Sequence, residues 1–238
     1  MKKNNKDNEA SVKVFSVSGS PIDAIWIDNC ELVDCIEDAQ IVVFPGGADV
    51  NPKLYDAERH SKTYCSDYAD ARDLDAWHSM KPNQIAVGIC RGAQFLTVIN
   101  GGKLIQDVTN HAIGRTHQIF ENKLNNFKEL DANSLHHQMM YPFNLSQDIY
   151  RILYRCSSRS EHYSGWDLTE NPLNTDNYAY NGEPEVVYYF KNNLPRCLAI
   201  QGHPEMMSAG RPFVIEMNSI VKKILNNTLD INEYFKSK

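Results

Sequence analysis

Short apolar runs recur along the chain, each closed by glycine, proline or a polar cluster: residues 12–17, 41–44, 85–89, 186–190 and 197–200. Runs this short and continuous suit strands buried on both faces. The segments between the early runs read as helical. Residues 22–28 and 32–38 are helix-compatible, the second an acidic helix leading into the run at Ile41. Residues 68–80 place Leu74 and Trp77 at helical spacing ahead of Lys81-Pro82, and residues 92–99 are apolar on most sides and end at Gly101-Gly102, a natural helix stop. Strands alternating with helices predict right-handed crossovers and an α/β fold: an open, mostly parallel sheet flanked by helices.

The last third changes pattern. The runs at 186–190 and 197–200 are separated by the polar residues 191–196, which predicts a C-terminal antiparallel hairpin, and residues 214–225 read as a final helix. Residues 157–183 form a polar stretch rich in Ser, Asn, Tyr and Glu. A connection that long is uncommon inside a compact domain unless it is functional. It reads as a lid or as a docking loop, and its aromatics (Tyr163, Trp166, Tyr178, Tyr180) favour docking. The polar residues 1–10 read as a disordered tail, leaving residues 11–238 as a single domain.

Composition narrows the classes. A formal net charge of −6 argues against a nucleic-acid binder, which needs a basic face. No apolar run approaches a membrane span, and the first residues lack the core of a signal peptide. The six cysteines are scattered without a CxxC pair, so reduced thiols in a cytoplasmic setting are expected, with one free for chemistry.

That one is Cys90, in Gly88-Ile89-Cys90-Arg91-Gly92 between an apolar strand and a helix. This is the cysteine form of the nucleophile elbow. A sharp strand-to-helix turn holds the nucleophile in strained backbone, and Gly88 and Gly92 remove the clashes two residues either side. The helix N-terminus behind it favours a thiolate. A buried structural cysteine beside a glycine turn would carry the same string; the flanking strand and helix favour the nucleophile. A base is then required, and His203-Pro204-Glu205 supplies an imidazole with a carboxylate to orient it. Alone, such a turn is more often a surface histidine beside an exposed glutamate. The run at 41–44 ends in Pro45-Gly46-Gly47, glycines that let backbone N–H groups approach a ligand closely. The amides of Gly47 and Arg91 are the candidate oxyanion donors. A catalytic metal is not expected: His111 and His117 are six apart and His136-His137 adjacent, neither matching the i, i+4 pairing of a metalloprotease helix.

Six motifs in order then resemble the class I glutamine amidotransferases, most closely the γ-glutamyl hydrolase-like branch, peptidase family C26. They are the P-G-G-x-D-V-x-P string at 45–52, Arg72-Asp73, the elbow at 88–94 running on to Gly101-Gly102-Lys103-Leu104, Asn133-Ser134-Leu135-His136-His137-Gln138, the Glu183-Pro184-Glu185 turn, and Gln201-Gly202-His203-Pro204-Glu205. The resemblance implies a flavodoxin-like fold with a catalytic triad of Cys90, His203 and Glu205, and oxyanion amides from Gly47 and Arg91. It also implies a glutamyl pocket that includes Gly46, Gln94, His137 and Gln138. His136 or His137 suits a packed structural role equally well. The expected reaction is hydrolysis of glutamine or a γ-glutamyl amide through a γ-glutamyl thioester, without cofactor or metal. Only residues 18–40 separate the run at Val17 from that at Ile41, shorter than in most relatives. This compact form resembles phage and bacterial versions thought to work with an ATP-dependent synthetase or ligase, so ammonia donation to such a partner leads. A stand-alone hydrolase of γ-glutamyl conjugates is the second reading, and a non-catalytic binding module the third.

Overall fold

The computed structural model of the chain describes residues 10–123, 128–156, 160–164 and 182–236. The expected apolar runs become β1 (Val12–Ser16), β3 (Ile41–Phe44), β4 (Ile85–Ile89), β12 (Glu183–Tyr189) and β13 (Arg196–Ile200). With β2 (Cys30–Leu32) they form the half of a nine-stranded sheet that carries the elbow, in the order β2-β1-β3-β4-β13-β12. Pairing is parallel from β2 to β13, and β12–β13 is the expected antiparallel hairpin.

Each central strand buries both faces, so successive residues enter opposite cores. Ile41 and Val43 join one cluster with Phe213, Met217 and Ile220 of α3 (Pro212–Leu225). Val42 and Phe44 join the other with Trp77 of α1 (Asp67–Ser79) and Phe95 and Leu96 of α2 (Arg91–Ile99). Helix α2 stops as expected, at Gly101 with φ +95°, where the Gly101 and Gly102 amides donate to Val98 and Thr97 carbonyls.

Two early expectations are corrected. Residues 22–28 and 32–38 form no helix of useful length: single 3-10 turns occur at Pro21–Asp23 and Ile36–Asp38, and the intervening residues supply β2. The run between Val17 and Ile41 is too short for a full crossover helix beside a strand. The sheet also continues beyond the hairpin, through β10 (Tyr150–Cys156), β7 (Ala112–Glu121) and β8 (Glu129–Leu135), all antiparallel. Inward positions of β7 and β8 include His117, Glu121 and Ser134, which interrupt an apolar alternation, whereas β10 is apolar at every buried position but Arg151.

Two small ribbons lie outside the main sheet, the first packed on α2. One pairs β5 (Lys103–Ile105) with β9 (Met139–Tyr141), the other β6 (Asp107–Val108) with β11 (Tyr163–Ser164). Of the polar stretch 157–183, residues 160–164 fold against β6, and Gly182 and Glu183 lead into β12. The rest of the stretch, like most of the N-terminal tail, lies outside the described residues. No helix among the described residues is long and apolar enough to cross a membrane.

Candidate active site

Cys90 occupies the junction of β4 and α2 at φ +51°, ψ −106°, a conformation that non-glycine residues avoid. The two glycines are there for space. A Cβ on Gly88 would lie 2.5 Å from the Gly92 carbonyl, and one on Gly92 would lie 2.1 Å from the Phe44 oxygen. The amide of Cys90 donates to Ile200 O at 2.8 Å, which ties the elbow to the next strand, β13. His203 lies just past the end of β13, so parallel pairing of β4 with β13 brings nucleophile and base together.

His203 contacts the Cys90 side chain on one side and Glu205 on the other, Nδ1 to Oε1 at 2.7 Å. Burial alone would lower the imidazole pKa; hydrogen bonds to Cys90 and Glu205 overcome it and push the value up to about 10. The turn that carries His203 is pinned from the far half of the sheet. Asn133 on β8 accepts from His203 N at 2.6 Å and donates to His203 O at 3.0 Å. The motif containing Asn133 is visible in the sequence, but this role is not, because it spans 70 residues.

On the other side of Cys90 lies a cavity of about 200 Å³. Gly47, Arg91, Gln94, His137 and Gln138 line it with Cys90, joined by Asp49, Tyr64 and His136. Gly47 sits at φ +153°, and Arg91 opens α2, so its N–H has no intrahelical acceptor. Gly46 is not among the lining residues. It faces the base instead: a Cβ there would come within 3.0 Å of His203 Cε1. The pocket wall is rigid. Gln94 Nε2 donates to Gln138 O at 3.2 Å, Gln138 Nε2 to Thr63 Oγ1 at 3.1 Å, and Thr63 in turn to Gln106 Oε1 at 2.9 Å. His137, half-buried, lies 3.1 Å from Asp49, which raises its pKa. His136 also borders the cavity and is almost wholly buried.

The Arg91 side chain does something the elbow motif does not disclose. Buried beneath the turn, its guanidinium bonds Asp70 and Asp73 of α1, and Arg72 closes on Asp73 at 2.7 Å. The Arg72-Asp73 pair seen in the sequence is therefore part of the clamp that locks α2 to α1. No disulfide joins the six cysteines among the described residues.

Fold and site together define an open-sheet α/β protein with a cysteine elbow, a carboxylate-held histidine just past the neighbouring strand and a polar pocket on the far side of the cysteine. The chain belongs to the Peptidase C26 family, whose model matches residues 7–205. It is 30% identical over 151 residues to the glutamine amidotransferase-like protein YvdE homolog of Lactococcus lactis subsp. cremoris, covering 56% of this chain and 80% of the relative. It is 31% identical over 104 residues to the corresponding protein of Lactococcus lactis subsp. lactis, covering 42% and 44%. Among solved structures, a glutamine amidotransferase from Thermotoga maritima aligns with 94% of this chain and 88% of its own, at 12% identity and a TM-score of 0.44.

Proposed function

We propose that this protein hydrolyses glutamine or a γ-glutamyl amide by way of a γ-glutamyl thioester on Cys90, as the glutaminase that supplies ammonia to an ATP-dependent ligase. The observation that carries the reading is Cys90, held at positive φ against His203, whose Nδ1 lies 2.7 Å from Glu205. Cys90 attacks the side-chain amide carbon while His203 holds the proton. The oxyanion faces the amides of Gly47 and Arg91, which border the same cavity as the nucleophile. His203 then protonates the departing amine, and water attacks the thioester to release glutamate. The γ-glutamyl group sits among Gln94, His137 and Gln138, in a cavity whose about 200 Å³ suits one amino-acid side rather than a long peptide. Asp49 and His137, paired at 3.1 Å, line the same cavity and are the charged groups there that the α-amino and α-carboxylate groups of that amino acid would meet.

The names of the Lactococcus relatives support glutamine as substrate; the Peptidase C26 membership supports a stand-alone hydrolase of γ-glutamyl conjugates. Both share every step up to the identity of the leaving amine. The deciding experiment measures glutamate released from glutamine and from a panel of γ-glutamyl amines, beside Cys90→Ala. Release from glutamine that disappears in Cys90→Ala supports the ammonia-donor reading. Release from bulky conjugates alone supports the hydrolase. Turnover that persists in Cys90→Ala sinks the assignment of the nucleophile.

A further inference from the structure

Behind the pocket wall, three histidines and a glutamate meet in the interior. His111 precedes β7, His117 lies on β7, His136 follows β8, and Glu185 lies on β12. His111 is 0% exposed, Glu185 1%, His136 2% and His117 4%. All three imidazoles face one oxygen: Glu185 Oε1 lies 3.1 Å from His117 Nε2, 3.7 Å from His111 Nδ1 and 3.8 Å from His136 Nε2. The His111, His136 and Glu185 donors lie within 4.8 Å of one another. Apart from the 3.1 Å approach of His117 Nε2 to Glu185 Oε1, the inward nitrogens of His111 and His136 have no hydrogen-bond partner. An ordinary buried polar network is hydrogen-bonded, because each unpaired group forfeits its hydration for nothing. Here the His111 and His136 nitrogens converge on a carboxylate oxygen instead.

The outer partners fix the same picture. His136 Nδ1 donates to Gln138 O at 2.9 Å, which leaves Nε2 as the lone-pair nitrogen. His111 Nε2 donates to Glu183 Oε2 at 2.8 Å, which leaves Nδ1 as the lone-pair nitrogen. In both rings the nitrogen freed of its proton is the one turned toward Glu185. Glu183 is itself held by Tyr163 Oη at 2.7 Å and the Ser160 amide at 3.1 Å. A carboxylate behind a histidine is the usual outer shell of a metal ligand. Tetrahedral zinc at about 2.0–2.1 Å from its ligands places those ligands about 3.3 Å apart; the three nitrogens lie 3.1–3.8 Å from Glu185 Oε1, and His117, outside the His111–His136–Glu185 group, turns inward to complete the set.

We propose that His111, His117, His136 and Glu185 form a structural zinc site. Imidazole and carboxylate donors suit Zn²⁺, and four protein ligands with no solvent access leave no open position for catalysis. The ion joins β7, β8 and β12 and anchors the His136–Gln138 wall of the cavity. It does not depend on Cys90 or on the reaction assigned to it.

The test is metal content and affinity of the full chain, produced without a histidine tag. Elemental analysis of the purified protein should find one zinc per chain. Cobalt added after chelator treatment should give the intense visible bands of tetrahedral coordination. His117→Gln and Glu185→Gln should lose the ion, and Glu183→Gln should weaken zinc by about 10- to 100-fold. The exposed His162→Gln should retain it. A chain that purifies without zinc and shows no tetrahedral cobalt spectrum overturns the proposal on the native protein alone, whether or not the variants fold. Zinc bound undiminished in His117→Gln and Glu185→Gln overturns it as well.

Discussion

Cys90 holds a backbone conformation that costs about 1–3 kcal/mol, retained because neighbours on every side determine it. Gly92 is the tightest of them, with the Phe44 carbonyl where a Cβ would go. Gly92→Ala should therefore destabilise the protein by at least about 1–3 kcal/mol, as overpacking does, and distort the elbow. A lower urea midpoint together with lost Cys90-dependent turnover is expected; an unchanged midpoint would show that the elbow has slack. His203 makes a second prediction, about pH. Its pKa lies above the ordinary 6.5, at about 10, through Cys90 and Glu205. The protonated imidazole thus contributes stability that is complete below pH 6.5 and is lost as pH rises toward 10. Glu205→Gln removes one of the groups holding that proton. The Tm difference between the native protein and this variant should be greatest near pH 6.5 and shrink toward pH 10. A difference constant across that window would mean that Glu205 does not hold the proton on His203.

At the scale of elements, two contacts position the site from outside it. Asn133 on β8 clasps the backbone of His203 through both its amide atoms. Asn133→Ala should leave KM for glutamine nearly unchanged and lower kcat by about 10- to 100-fold, the effect of displacing a catalytic group by a fraction of an ångström to an ångström. Equal losses in both parameters would point to a substrate contact instead. Arg91 separates the roles of one residue. Arg91 lines the cavity, and its amide is the proposed oxyanion donor, while its guanidinium is buried between Asp70 and Asp73 of α1. Arg91→Ala leaves Asp70 without its guanidinium and Asp73 with Arg72 alone, and should lower stability by about 3 kcal/mol in denaturant titration. The fraction that remains folded should keep much of its turnover, since the amide survives the substitution. Loss of turnover in fully folded protein would place the side chain in the chemistry.

At the scale of the molecule, the centre of the sheet is its most protected part. β3 and β4 are buried along their whole length and β13 nearly so, whereas β2 is a three-residue, largely exposed edge. Hydrogen exchange should be slowest at Ile41–Phe44, Ile85–Ile89 and Arg196–Ile200 and fastest at Cys30–Leu32. Comparable protection at β2 would require a cover over that edge. This layout also explains the location of the site: parallel strands β3, β4 and β13 present their carboxyl ends together, and the loops from those ends carry Gly47, Cys90 and His203.

Sequence alone determined the buried central strands, the elbow with its glycines, the stop after α2, the C-terminal hairpin and the three segments that meet at Cys90. Each is a local matter: continuous apolar runs, turn residues at fixed offsets, and a nucleophile whose spacing follows from backbone sterics within five residues. The early crossovers were misread, because short polar-apolar segments satisfy a helical period as well as a turn and a short edge strand. Strands β7 and β8 are illegible for a different reason: their inward positions include His117, Glu121 and Ser134, whose surroundings are supplied by residues far along the chain. The same holds for Asn133 beneath His203, for the guanidinium of Arg91 between two aspartates, and for His111, His117 and His136 around Glu185. A buried polar group is stable only with its partners in place, and which partners those are is decided by how distant strands register, so only the tertiary structure could disclose them.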